Sequence, residues 1–152
     1  MVEALAQRIR TDKDPVMLER CLDVLSSMSK PSNVAALEEV LISDDREAVQ
    51  TAVARSLSTV GDGKACLMLA EHAEGNLFCR NALADVSSPY AQKTLMEIAS
   101  GAMDGNVRSA AIKALGRFNT AEIRNFLGAL AEKEKDRQVL EAIKGALSSG
   151  LP

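Results

Sequence analysis

Aromatic residues are scarce in this sequence: they make up 3% of its 152 residues, and none is Trp. A core without large rings must rest on Leu, Ile, Val, Met and Ala, a composition suited to closely packed helices. Cysteine is scarce too. Cys21, Cys66 and Cys79 form no even set and match no zinc spacing, and a chain of this length needs no disulfide staples. That usage points to a reducing compartment, and the expected location is cytoplasmic. No stretch approaches the roughly 18 consecutive apolar residues of a membrane span. Glu3, Arg8 and Arg10 interrupt the opening residues where a secretory signal needs an unbroken apolar segment.

Positive charge is not in excess either. The net charge is −3 and the sequence pI about 5.3, so no global basic field exists to hold a polyanion. This argues against nucleic acid as a partner. Residues 1–45 carry five Lys/Arg against nine Asp/Glu, 46–117 eight against seven, and 118–152 five against five. The acidic surplus therefore sits at the N-terminal end. At 47% hydrophobic and 26% charged, the chain as a whole has a globular balance.

What the chain does have is repetition. The segments 17–25, 49–57, 78–86, 107–115 and 139–147 each begin and end on an apolar residue, the ends being Leu25, Leu57, Val86, Leu115 and Leu147. Successive ends lie 32, 29, 29 and 32 residues apart. Counting back twenty from each lands on Leu5, Leu37, Cys66, Leu95 and Leu127. Spacings of three and four, as in Ile123, Phe126, Leu127 and Leu130, are helical, and nothing alternates at period two. A period of about thirty built from two such segments reads as a repeated helix pair.

The expected fold class is therefore all-α: an α-solenoid of about five antiparallel helix pairs forming one domain over 1–152. Its repeats fall at about 1–30, 31–61, 62–87, 88–118 and 119–150. Helices are expected over 2–11, 15–28, 32–43, 45–59, 63–74, 76–86, 89–100, 105–117, 120–133 and 137–149. Asp14-Pro15 and Ser88-Pro89 supply start signals, and Asn119 with Glu122 resembles a capping box. Asp44 or Asp45, Asp104 and Asp136 stand where second helices begin, and Gly61, Gly101, Gly105 and Gly150 at ends or turns. The turns at 29–31 and 118–120 should be longer than those at 60–63 and 87–88.

Few residues suggest chemistry. Cys66 takes a position otherwise filled by Leu, and Cys21 an inward one, so both read as small buried hydrophobes. Cys79 falls on the outward side, where its thiol would be open to reaction. His72 is the sole histidine, and six residues of helix turn it about 240° away from Cys66. It reads as a solvated or capping side chain. Gly61-Asp62-Gly63 and Gly101 to Gly105 lack the strand and Gly-Lys-Ser/Thr element of a phosphate loop. Adjacent carboxylates, Glu38-Glu39 and Asp44-Asp45, diverge on a helix and specify no acid–base pair. No catalytic residue, metal site or cofactor is expected, and the chain reads as no enzyme.

The segment from Asp104 to Gly116 carries an Asp, a Val107-Arg108 pair, small residues and Ala114-Leu115-Gly116. In this it resembles HEAT repeats, the short bacterial kind also found in phycobilin lyase proteins. Residues 45–61 match less closely, with Val49-Gln50 and Ser56-Leu57, and 78–86 depart most. The resemblance implies a right-handed stack of helix pairs whose second helices line one long concave face. On that face the register turns Leu18, Gln50, Cys79, Arg108 and Leu140 outward, followed by Arg80 and then by Asp23, Arg55 and Lys113. The expected function is a non-enzymatic scaffold or regulatory module that receives a protein or peptide segment there. A lyase-like subunit acting on a bilin is the alternative, implied by the resemblance alone, and nucleic-acid binding ranks behind it. Val2, Leu5 and Ile9 at one end and Leu140 at the other leave self-association through an exposed end repeat as a further expectation.

Overall fold

In a computed structural model residues 2–27 and 29–149 are described. Short polar side chains set most of the helix starts. Asp62 Oδ1 accepts from Ala65 N at 2.8 Å, and Asn76 Oδ1 from Phe78 N and Cys79 N at 2.9 and 3.1 Å. Asp104 Oδ1 takes Asn106 N and Val107 N at 2.7 and 3.0 Å, and Asp136 Oδ1 takes Gln138 N at 2.8 Å. Each satisfies donors that a helix cannot pair internally.

The resulting helices are α1 (Val2–Thr11), α2 (Pro15–Ser27), α3 (Val34–Ser43), α4 (Glu47–Val60), α5 (Gly63–Ala73), α6 (Leu77–Ala84), α7 (Gln92–Gly101), α8 (Gly105–Gly116), α9 (Ala121–Lys133) and α10 (Arg137–Ser148). Single 3-10 turns, Pro31–Asn33 and Pro89–Ala91, lead into α3 and α7. No strand occurs among the described residues. The fold is all-α, as the periodicity implied. The expected ends at Met28 and Gly150 lie outside the described residues.

Differences from expectation are local. Arg46, not Asp44 or Asp45, occupies the start of α4, and the Asp44 carboxylate instead accepts from Arg46 N at 3.1 Å. Thr120 caps α9, accepting from Ile123 N at 3.2 Å, while Asn119 sits just before it at φ 45°. α6 stops at Ala84, so the turn 85–88 is no shorter than 117–120. Gly61 ends α4 at φ 55°, with its N–H on Leu57 O at 3.0 Å; a Cβ there would stand 2.7 Å from Ser88 Cβ.

Packing follows the pairs. α1 lies on α2, α3 on α4, α5 on α6, α7 on α8 and α9 on α10. Second helices stack in order, α2 on α4, α4 on α6, α6 on α8 and α8 on α10, while α1, α3, α5 and α7 form the neighbouring layer. Between the layers runs a continuous row of wholly buried side chains, Ile9, Leu25, Leu37, Leu57, Leu69, Leu83, Leu95, Leu115, Leu127 and Ile143 among them. Each contributes about 1.5–3 kcal/mol of transfer free energy, upper figures since unfolded chains are themselves partly compact. No helix pair could bury its apolar faces alone; the neighbour completes each one. Ile9 is fully buried, whereas Leu5 and Leu140 at the two ends are half-buried.

Candidate binding face of the second helices

Grooves open between successive second helices. That between α2 and α4 has a volume of about 510 Å³ and is lined by Glu19, Asp23, Glu47, Thr51 and Arg55. The α4/α6 groove, about 340 Å³, shares Arg55 and Thr51 and adds Asn81 and Asp85. The α8/α10 groove is larger, about 800 Å³, with Lys113, Arg117, Gln138 and Glu141 above a floor that includes Gly116, Ala142 and Ala146. Charge shifts along the row: carboxylates outnumber cations beside α2, and cations outnumber carboxylates beside α8.

Small residues make these grooves. At the end of α8, a Cβ on Gly116 would meet Ala146 Cβ at 2.9 Å and Ala146 Cα at 3.0 Å, so the helices approach through missing side-chain volume. Arg117 Nη2 reaches back to Asp85 Oδ1 at 2.7 Å, tying the ends of α8 and α6 together across the surface.

Polar side chains join the repeats at the opposite ends of the second helices. Gln50 Nε2 donates to Leu41 O at 2.7 Å and to Asp44 O, and its Oε1 accepts from Asn76 Nδ2. Arg108 occupies the equivalent place in α8. Its Nη1 donates to Ala102 O and Met103 O at 2.9 and 3.0 Å, and its guanidinium lies 3.3 Å from Glu134 and 3.7 Å from Asp136. Arg46 bonds Asp44 and the carbonyl of Ile9. Asn106 accepts from Gln138 at 2.7 Å. In each case the side chain pins the turn inside a repeat or the start of the next second helix.

These bonds shift the acids they touch. Backbone N–H groups of Val107 and then Asn106 hold the Asp104 carboxyl below the usual carboxylate range, and the charge of Arg80 adds to the effect. The Arg46 guanidinium does the same for Asp44. Glu134 is lowered chiefly by the N–H of Asp136, then by that of Lys135 and by Arg108.

A two-helix unit with an Asp start, a Val-Arg pair and stacked small residues matches one known pattern along almost the whole chain. The profile of HEAT repeats fits residues 2–84 and again 77–148. The chain belongs to the HEAT-repeat family. Among solved structures it is similar to an engineered protein, at 18% identity over 97% of this chain and 78% of that one, TM-score 0.46. It is also similar to a designed armadillo repeat protein, at 12% identity over 99% and 82%, TM-score 0.40. No curated protein matches.

Within this HEAT array the outward positions need correction. Asp23, Arg55 and Lys113 are exposed and line the grooves. Leu18, Arg80 and Leu140 are half-buried. Gln50 and Cys79, expected outward, are buried. Gln50 turns inward because three polar groups receive it there. The register of this repeat is shifted by one residue: Asn76 caps α6 three residues before Cys79, as Asp104 precedes Val107 and Asp136 precedes Val139, so Cys79 belongs to the buried column. Arg108 is half-buried and committed to the turn.

The thiols fit this placement. Burial pushes Cys66 up to about 12 and Cys79 up to about 11, so both stay protonated near neutral pH. His72 is half-buried, 3.8 Å from Glu38 of the preceding repeat. Among the described residues no group of three or more His, Cys, Asp or Glu side chains could hold a metal ion.

Proposed function

We propose that this HEAT-repeat protein is a scaffold that binds a segment of another protein along its second helices, without catalysing a reaction on it. The observation that supports the reading is the row of grooves between α2 and α4, α4 and α6, and α8 and α10, small-residue floors flanked by exposed charges. Such a row offers an extended guest apolar contact below and charged contact on both sides. Arg55 and Lys113 take the place of Arg80 and Arg108 as the cations that meet the guest, since Arg108 is spent on the fold.

Charge reversal tests this. Arg55→Glu/Lys113→Glu should lower capture of a cross-linked partner about tenfold or more while leaving the melting temperature unchanged. Lys93→Glu, on the first-helix side, should leave capture intact. Equal capture by both variants rejects the second-helix face.

A further inference from the structure

The first-helix layer carries a groove of a different character. It lies between the C-terminal halves of α5 and α7, beside the turn 102–104, with a volume of about 450 Å³. Leu67 of α5, Ile98 of α7 and Met103 of the turn give it apolar walls. Leu67 is 47% exposed and Met103 98%. A lone exposed apolar side chain is ordinary, but two large ones on one groove form a surface that gains by desolvation, and an unbranched Met adapts to varied guests.

The rim has one sign. Glu71 and Glu74, three residues apart near the end of α5, stand on one bank, and Glu97 of α7 on the other. Their carboxylates have no partner among the described residues, and no Lys or Arg lines the groove. Asp104 adds a fourth carboxylate, already engaged in capping α8. Two cations stand beside the turn: Arg80 bears on the Asp104 charge, and Arg108 directs its donors to Ala102 O and Met103 O and its charge to Glu134 and Asp136. The second-helix grooves mix both signs; this one does not.

The geometry points to this groove as a docking site for a basic amphipathic segment of a partner protein. Its apolar side chains lie between Leu67, Ile98 and Met103, and its Lys or Arg side chains reach Glu71, Glu74 and Glu97. Charge complementarity selects that guest. An acidic segment meets like charge on both banks, and a neutral apolar one crowds three carboxylates without supplying a counter-ion. The open form suits a passing chain rather than an enclosed small molecule, because small-ligand clefts bury most of their guest whereas Met103 stands almost wholly in water.

Fluorescence polarisation with three labelled peptides of equal length tests the assignment: a Lys/Leu amphipath, its Lys/Ser counterpart and a Glu/Leu amphipath. Only the Lys/Leu peptide should bind saturably, and its amide-shift footprint should fall on residues 67–74 and 97–104. Glu71→Gln/Glu74→Gln/Glu97→Gln should weaken it about tenfold or more, and so should Leu67→Ser/Met103→Ser. Glu19→Gln/Asp23→Asn/Glu47→Gln removes the same charge from the α2/α4 groove and should change affinity by less than about twofold. Equal binding of the Lys/Ser peptide, an equal loss in that control, or no saturable binding overturns the assignment. So does self-association in sedimentation velocity that the groove variants abolish, which would make a second copy the guest. Arg55→Glu/Lys113→Glu should not weaken the Lys/Leu peptide, so this site and the second-helix face fail or stand separately.

Discussion

Arg108 and Glu134 show how much a single pair can hold. The two side chains are 15% and 12% exposed, and Arg108 also satisfies two turn carbonyls. Arg108→Met keeps the length of the stem but removes the counter-charge of Glu134 and the donors of the two turn carbonyls; it should cost about 2–4 kcal/mol in urea denaturation. Glu134 adds a pH signature. Its folded value is depressed below the ordinary 4.5, first by the Asp136 N–H, so the unfolded chain binds the proton more readily. The stability it supplies is complete above the unfolded value and drains away as pH falls through the folded one. The stability gap between wild type and Glu134→Gln should therefore narrow as pH falls below about 4.5; a constant gap down to acid denaturation would contradict this. The buried thiols give a second readout at this scale. With Cys66 and Cys79 pushed up to about 12 and about 11, neither should react with a disulfide reagent at neutral pH until urea unfolds the chain. Prompt labelling of Cys79 in the native protein would return it to the surface.

Between elements, volume decides. Gly116 is where α8 meets α10, and an added Cβ has only the backbone and Cβ of Ala146 to push against. Gly116→Ala should destabilise the protein by about 1–3 kcal/mol. Gly128, inside α9, has nothing within 4 Å of a built Cβ, so Gly128→Ala should stabilise by about 0.5–1 kcal/mol through helix propensity alone. The two thermal midpoints must move in opposite directions; a shared sign would mean that α8 and α10 yield at Ala146 without cost. The same contrast explains what could be read from the sequence. Apolar spacing of three and four located every helix, because burial between layers imposes that period on each one. It misplaced Cys79 because Leu77, Phe78 and Cys79 are all apolar, and only the Asn76 cap distinguishes the register. The register turns Gln50 and Arg108 outward because each stands one residue past the apolar column that begins its second-helix segment. Their inward partners include backbone carbonyls in or beside the turn within the repeat, which leave no trace in residue identity. One signal was available: Gln50, Arg80 and Arg108 each stand four residues after the residue that starts their helix. The groove between α5 and α7 is not legible in the sequence because its banks come from different repeats, and no spacing within one repeat joins Glu71 to Glu97.

For the whole molecule the consequence is graded stability rather than a shared centre. α8 is flanked by α6, α7 and α10 and buries Val107, Ser109, Ala110, Ala111, Ile112, Ala114 and Leu115. By contrast, α9 buries only Ile123 and Leu127, and α1 only Ala6 and Ile9 among their described side chains. In a stack, each repeat is held by its own packing plus its interfaces with its neighbours, so a helix that buries fewer side chains in them is held less firmly. Local opening should then cost less at α1 and α9 than at α8. Native-state hydrogen exchange should show amides of α1 and α9 exchanging about tenfold or more faster than those of α8, a gap of about 1.4 kcal/mol. Gly116→Ala sharpens the test. Weakening the α8–α10 contact should speed exchange in α9 and α10 and leave α2 and α3 nearly unchanged, since the packing among the described residues runs from them to α8 through α4 and α6. A single opening free energy for every helix, shifted equally everywhere by that substitution, would mean that the chain unfolds as one globule. The grooves along its faces would then belong to a surface that cannot loosen one repeat at a time.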